Sequence, residues 1–362
     1  MNEATELPAM LNRDAGALLG SCPLPVTNYK EIVLAHGSGG KLSQQLMRGV
    51  ILPRFRNDLL APLHDGAIFI LNGARLAFST DSYVVSPIFF PGGDIGKLAV
   101  HGTVNDLAMC GARPLYLSVG FILEEGTSMH DFARVVDSMR EAAGAAGVAL
   151  VTGDTKVVDR GKADGIFINT SGIGLVPEGV DIAPARARPG DKILLSGEIA
   201  VHGIAIMSVR EGLEFETEIA SDTAPLNRLV EAMLATGADI HVLRDPTRGG
   251  VSSALTEIAQ SARVGMLLEE AAIPIGEEVK GACEILGLDP LYVANEGKLI
   301  AIVPPADARR VLAAMRSHPL GRESAIIGEV TAENPAFVLM KTRVGGTRVV
   351  DMLSGEQLPR IC

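Results

Sequence analysis

Two short apolar runs, Ala67–Leu71 and 75–79, are separated by Asn72-Gly73, and this dipeptide limits the fold more than any other feature. Asn-Gly supplies the two positive-φ positions of a type I′ turn, so the runs must fold back on each other as an antiparallel hairpin. Elsewhere the apolar pattern alternates between helical and extended spacing. Asp94 reads as the N-cap of a long helix, with Ile95, Leu98, Ala99, Val104, Leu107 and Ala108 at helical intervals. Residues 115–123, 148–152 and 166–170 read as strands, and 131–146 as a helix. After the turn at Pro189-Gly190-Asp191, helices are expected near 199–210, 223–236, 249–262 and 306–317. Strands are expected near 264–268, 298–303, 324–329, 337–340 and 347–350. Alternation combined with a hairpin predicts an α+β chain with mixed sheets, not a purely parallel one.

A chain of 362 residues is long enough for two domains, each with its own core. We expect an extension over 1–28, domains over 29–185 and 186–344, and a tail over 345–362. The extension lacks any period, and Cys22 within it receives no role. A net charge of −11 with no basic run disfavours nucleic acid as a partner. A small polyanion would have to be gripped locally, through metal ions or backbone N–H groups. Cys22, Cys110, Cys283 and Cys362 lie far apart with no CxxC pair, which argues against a structural zinc site or a disulfide framework. The first residues carry no basic cluster, and no apolar run approaches the ~20 residues that span a bilayer. A cytoplasmic protein without membrane contact is expected.

Aspartates recur beside apolar runs. Asp81, Asp154 and Asp245 each follow one, Asp65 precedes one, and Asp106 lies inside the long helix. Such residues either cap turns or collect as hard oxygen ligands for Mg2+, which is held by a few carboxylates together with substrate phosphates. The turn His36-Gly37-Ser38-Gly39-Gly40-Lys41 is neither a P-loop nor GxGxxG, because Ala35 and Leu42 occupy the wrong positions. It is a plain loop into a helix, or a cover whose N–H groups and Lys41 close over phosphates. Asn105 and Asp106 are costly in an apolar helix unless paired or functional. Cys110 reads as a small buried hydrophobe, and His202 as a loop or capping histidine. The chain ends Pro359-Arg360-Ile361-Cys362, with the proline stiffening the approach to the thiol. A tail from Gly345 spans up to roughly 55 Å extended, enough for the thiol to visit an internal site and leave it.

Several of these segments together resemble the HypE family of NiFe-hydrogenase maturation proteins: 102–114, Phe78-Ser79-Thr80-Asp81-Ser82-Tyr83, Gly153-Asp154-Thr155-Lys156, Arg244-Asp245-Pro246-Thr247-Arg248-Gly249-Gly250, Asn295-Glu296-Gly297-Lys298 and the terminal Pro-Arg-Ile-Cys. That family belongs to the ATP-binding superfamily of aminoimidazole ribonucleotide synthetase and selenophosphate synthetase. The resemblance spans about residue 30 to 362 and implies two PurM-like α/β domains, a homodimer whose N-terminal domains form a β-barrel, and a mobile tail. It implies ATP and Mg2+, with Asp65, Asp81, Asp106 and Asp245 as metal ligands. Gly37, Ser38, Gly39, Gly40, Lys41, Asn105 and Asp154 would join the nucleotide site. A carbamoyltransferase, HypF, would load the Cys362 thiol. ATP-dependent dehydration would then give a thiocyanate, passed as cyanide to a HypC–HypD scaffold. Glu296 and Lys156 are the candidates for proton transfer at the tail. Two alternatives remain open at this point: a sibling that activates a free small molecule, or a nucleotide-binding carrier without catalysis.

Overall fold

The computed structural model describes residues 29–212, 219–355, 358 and 360–362. The readings placed on residues 1–28 with Cys22, and on Pro359, lie outside them. The chain divides after Val33. Residues 29–33 carry no regular element, and Leu34–Cys362 form one compact unit.

The hairpin forms as its turn demands. Strands β1 (Ala67–Leu71) and β2 (Ala74–Tyr83) pair antiparallel, with Asn72 at φ 50° and Gly73 at φ 83°. They are preceded by helices α1 (Lys41–Leu46) and α2 (Leu52–Phe55), joined by a π-helical turn at Met47–Ile51. A two-residue ribbon, β3 (Phe89–Phe90) with β4 (Gly93–Asp94), leads into α3 (Ile95–Met109). Then come β5 (Arg113–Glu124), α4 (Met129–Ala146), β6 (Ala149–Val158) and β7 (Ile166–Leu175). The first sheet runs β1-β2-β7-β5-β6, and only β5 and β6 are parallel. Its inner face carries α3, with α4 against α3. The outer face leaves Phe78, Tyr116 and Ile122 about half exposed, at 46%, 52% and 45%.

Asp81 and Asp154, expected just past strand ends, lie inside β2 and β6. These strands continue because β7 and β5 continue to supply ladder partners beside them, from Asp81 opposite Thr170 to Asp154 opposite Gly120.

The second sheet contains β8 (Lys192–Leu195), β9 (Val242–Arg244), β10 (Gly265–Glu269), β11 (Ile300–Val303), β12 (Ala325–Thr331), β13 (Val338–Lys341) and β14 (Thr347–Val350). Their order is β14-β13-β10-β12-β8-β11-β9, with β10–β13 the one parallel pair. Its helices are α5 (Val201–Glu211), α6 (Asn227–Leu234), α7 (Gly250–Ala262), α8 (Glu277–Leu286) and α9 (Pro305–Ser317). Alternation sends Ile193, Leu195, Ile300 and Ile302 into one core with α7, and Leu194, Ala301 and Val303 into another with α6 and α9. Both faces are therefore dry.

Helix α3 joins the two sheets. Its N-terminal part packs into the first core through Ile95, Leu98 and Ala99, and Ala108 and Met109 enter the core of α6 and α9. Asp94 caps it by accepting from the N–H groups of Gly96 and Lys97, as its sequence foretold. An element wedged on all sides cannot be amphipathic, which is why polar residues on α3 end up in the interior.

His101 is one of these. Its Nδ1 lies 3.1 Å from Thr223 Oγ1, and burial, with Lys97 nearby, lowers its pKa to about 3. The folded state keeps it neutral while the unfolded chain takes up the proton below its ordinary value of 6.5. Stability from this group is therefore complete above pH 6.5 and is lost as pH falls towards 3. Between pH 7 and pH 5 its share of that loss is about 2 kcal/mol. Urea titrations at both pH values should show the difference shrinking by that amount in His101→Gln. An unchanged difference would mean that His101 is charged in the fold.

No helix among the described residues is long and apolar enough to cross a membrane.

Candidate active site

Three carboxylates meet where β9 ends, α3 passes and the chain enters β1. Asp65, Asp106 and Asp245 each present an oxygen, and all three oxygens lie within 4.8 Å of one another. Arg244 Nη1 reaches Asp65 Oδ1 at 2.8 Å, and its Nη2 reaches Glu257 at 2.6 Å, so this guanidinium is spent on structure. The other oxygen of Asp65, Oδ2, is buried without a hydrogen-bond partner. Burial first, and then the neighbouring Asp245, Asp65 and Asp81, hold the Asp106 carboxyl well above its usual range. Burial and Asp65, against Arg244, push Asp245 up to about 7. The Ser79 hydroxyl donates towards the Asp65 carbonyl at 2.8 Å and Asp106 Oδ2 at 2.7 Å, tying the two residues together and partly offsetting the rise at Asp106. The set fits a hard divalent cation: all-oxygen donors, excess negative charge and one orphaned oxygen aimed inward. Asp81 lies nearby on the inner face of β2, raised by burial, with Arg248 Nη2 at 3.8 Å.

The tail comes to this place. After β14 it leaves the second sheet at Asp351, whose carbonyl accepts from Ser252 Oγ at 2.6 Å. The last residues then run beside the segment after β2, where Val84 N–H donates to the Cys362 carbonyl at 3.1 Å and Ser86 N–H to the Arg360 carbonyl at 3.2 Å. Arg210 bonds the carbonyls of Ser86 and Arg360, and Arg360 pairs with Asp164. Ile361 is buried. His202, which sequence placed in a loop or cap, instead holds the tail from inside α5. Its ring stands edge-on to Phe90, Nε2 lies 2.8 Å from the Ile361 carbonyl, and Nδ1 lies 2.7 Å from Ser221 Oγ. A carbonyl has no proton to give, so Nε2 carries the hydrogen, and in the neutral ring Nδ1 accepts from Ser221. Burial lowers its pKa accordingly.

The Cys362 thiol thus faces Glu296. At close range the carboxyl raises the titration of the thiol and the thiol lowers that of the carboxyl, and the Glu296 oxygen Oε1 is buried without a hydrogen-bond partner. Burial, then Asp245 and Asp81, holds Glu296 well above the ordinary carboxylate range. Burial and Glu296 likewise push the thiol up, with Arg248 opposing. Docked Cys362 is a neutral thiol. Tyr83 closes the inner wall, and Gly102 must lack a side chain because a Cβ there would lie 2.2 Å from the phenol oxygen.

Other candidates have different surroundings. Asn105 is not turned to the carboxylates. Its Nδ2 donates to the carbonyls of Ala224 (3.1 Å) and Glu296 (3.2 Å), and its Oδ1 accepts from Leu226 N–H at 2.7 Å. A buried amide must satisfy its own polar atoms first, so Asn105 positions Glu296 through that residue's backbone. Lys41 pairs with Asp351 at 2.5 Å, and its N–H donates to the Leu353 carbonyl. Gly37, Ser38, Gly39 and Gly40 therefore lie against the tail and Arg248, with no room for a side chain at Gly40, where a Cβ would lie 2.3 Å from the Leu353 carbonyl oxygen.

Asp154 and Lys156 are exposed and pair with each other at 2.6 Å. The ladder from Asp81 runs through Thr170 and Val119 to Gly153, so residues 154 and 156 point to the opposite face, about 14 Å across the sheet. Within one chain they do not join the cluster. Arg248, Tyr83 and His202 do belong to the site. Arg248 and Tyr83 sat unremarked inside segments already singled out.

Comparison with known proteins places this geometry in context. The descriptions "AIR synthase related protein, N-terminal domain" and "AIR synthase related protein, C-terminal domain" match residues 63–176 and 188–341. The carbamoyl dehydratase HypE of Azotobacter vinelandii is 58% identical over 331 residues, covering 91% of this chain and 97% of that protein. A crystal structure of a HypE–HypF complex superposes with a TM-score of 0.81 at 48% identity, covering 85% of this chain and 99% of the other. A structure of HypE in complex with ATP does so at 0.78 and 52% identity, covering 92% and 100%.

Proposed function

The chain belongs to the HypE family of AIR synthase related proteins, and from that premise we propose that it is an ATP-dependent carbamoyl dehydratase acting on its own tail. An S-carbamoyl group on Cys362 loses the elements of water and becomes an S-cyano group, the cyanide donor for the iron of NiFe hydrogenase. The carboxamide oxygen bonds to the γ-phosphorus of ATP as the bond to ADP breaks. One amide proton then passes from the nitrogen to a base, the C–O bond breaks, and the second proton leaves with the phosphate, giving S–C≡N, ADP and hydrogen phosphate. The observation that carries this reading is the docked tail, with its thiol against Glu296 and the carboxylate cluster alongside.

Glu296 is the base for the amide nitrogen: adjacent, dry, and acting through its ionised fraction. Asp65, Asp106 and Asp245, with Asp81, are assigned to Mg2+, which when bound neutralises polyphosphate charge. Asn105 positions Glu296, and residues 37–41 cover the nucleotide through their backbone, fastened to the tail by Lys41 and Asp351. The thiol of docked Cys362 is held well above its usual range, hence a poor nucleophile. Loading by a HypF-type carbamoyltransferase is accordingly assigned to the undocked tail, and delivery to a HypC–HypD acceptor follows dehydration. The exposed Phe78, Tyr116 and Ile122 support a homodimer that closes the first sheet into a barrel. Asp154 and Lys156 sit on that outer face, and we assign them to the second copy's site. Widely spaced free cysteines fit the cytoplasm.

The mass of the C-terminal peptide tests the reading. The protein is loaded with carbamoyl phosphate by the carbamoyltransferase, freed of nucleotide, and then given Mg-ATP or none. Loss of one water only with ATP is expected. A loaded tail that keeps its mass while ATP is cleaved would overturn the assignment.

A further inference from the structure

Resting on that reading, we propose that Arg248 is a catalytic residue: its guanidinium receives the oxygen of the S-carbamoyl group and the phosphoryl group transferred to that oxygen. A carboxamide is polar end to end, with an acceptor oxygen and a donor NH2. On the docked thiol it lies among groups of fixed polarity. Glu296 and Asp81 only accept when ionised, so the NH2 end belongs to that side.

The oxygen needs a donor, and within one chain the lysines and arginine around Arg248 are committed. Arg244 is held by Asp65 and Glu257. Lys298 pairs with Asp222 at 3.0 Å in the interior, and Lys41 pairs with Asp351. Arg248 is held loosely by comparison, at 3.8 Å from Asp81, with Nη1 donating to the Gly37 carbonyl at a long 3.3 Å. Among the described residues, no other partner holds its N–H groups that tightly. It also shares the lining of a cavity of about 20 Å3, room for one small group, with Ile361, Leu358, Ala294 and Ser38. Arg248 thus touches the glycine loop, Asp81 and the last turn of the tail at once.

This position suits the oxygen's chemistry. As the carboxamide oxygen bonds to phosphorus and ADP departs, negative charge collects on the phosphoryl oxygens. One amide proton leaves to Glu296, and the phosphate that carries the oxygen away takes the other. A planar fork can bond the carboxamide oxygen and a phosphoryl oxygen together, which a lysine point charge does poorly.

The test uses the full-length protein loaded at Cys362 by the carbamoyltransferase and freed of nucleotide. Single-turnover loss of water from the tail peptide is followed after Mg-ATP is added. Wild type must dehydrate; if it does not, the functional reading fails and not the arginine assignment. Arg248→Gln is expected to load normally and to bind ATP within a few-fold of wild type, yet to dehydrate about 100-fold more slowly. Arg248→Lys should fall in between. In Arg248→Ala, free guanidinium added to the buffer should restore part of the rate, a response that a merely structural defect would not show. Wild-type dehydration in Arg248→Gln overturns the proposal, as does a slow Arg248→Ala that guanidinium leaves unchanged.

Discussion

Glu296→Gln is expected to take up a carbamoyl group at Cys362 normally and to dehydrate it about 1000-fold more slowly. Gln keeps the volume and a polar group beside the tail and removes only the ability to accept a proton. Because the Glu296 carboxyl is raised well above its usual range by burial and by Asp245 and Asp81, only its ionised fraction acts as a base. The wild-type rate should therefore climb with pH as Glu296 ionises, whereas the residual rate of the variant should lack that limb. Folding is expected to survive, since a neutral amide is easier to bury than a carboxylate crowded by other carboxylates. Peptide mass spectrometry on loaded protein at several pH values separates the outcomes. Equal rates would remove Glu296 from the chemistry, and an equal loss at every pH, with the same pH limb in the variant, would remove it as the titrating base.

Gly297→Ala should cost about 3 kcal/mol of stability, read as a lowered urea midpoint. A Cβ there would lie 1.8 Å from the Asp222 carbonyl oxygen and 2.9 Å from its carbon. The obstacle is backbone, not the free end of a side chain, so the segment around Asp222 must move. That segment carries the partner of Lys298 and the Ala224 carbonyl that Asn105 holds. Relief of the clash therefore loosens the clamp beneath Glu296, and tail docking should weaken as well, seen as faster proteolysis at the C-terminus. A change below about 0.5 kcal/mol would mean the two segments are not so close.

Much of the fold was legible wherever the signal was local. Asn72-Gly73 fixes its hairpin with neighbours alone, and Asp94 caps α3 within three residues. The helix α8 was legible and overlooked, since Val279, Ala282, Cys283 and Leu286 repeat at helical spacing. The site was legible in composition but not in arrangement. Asp81 and Asp154 share a sequence pattern, yet a period of two and a run of ladder partners put their side chains on opposite faces of one sheet. Asn105 and Asp106 are adjacent and polar, but they turn to different neighbours. One staples residues 224–226, and the other meets Asp65 and Asp245. Lys41 looked free for phosphate because its partner, Asp351, is more than three hundred residues away. Arg248 gave no signal of its own, because its place depends on where the tail lies.

The strand β14 has one more consequence. It holds Thr347–Val350 in the second sheet, so the leash that carries the thiol starts at Asp351 and is only about 40 Å long when extended. On such a leash the reacting group meets its site at an effective concentration of about millimolar or more, whatever the amount of protein present. Dehydration is then first order in loaded protein, with no Michaelis constant for the carbamoyl group. Dilution slows only the encounters with separate molecules, and the cycle has a stoichiometry of one cyanide for each loading.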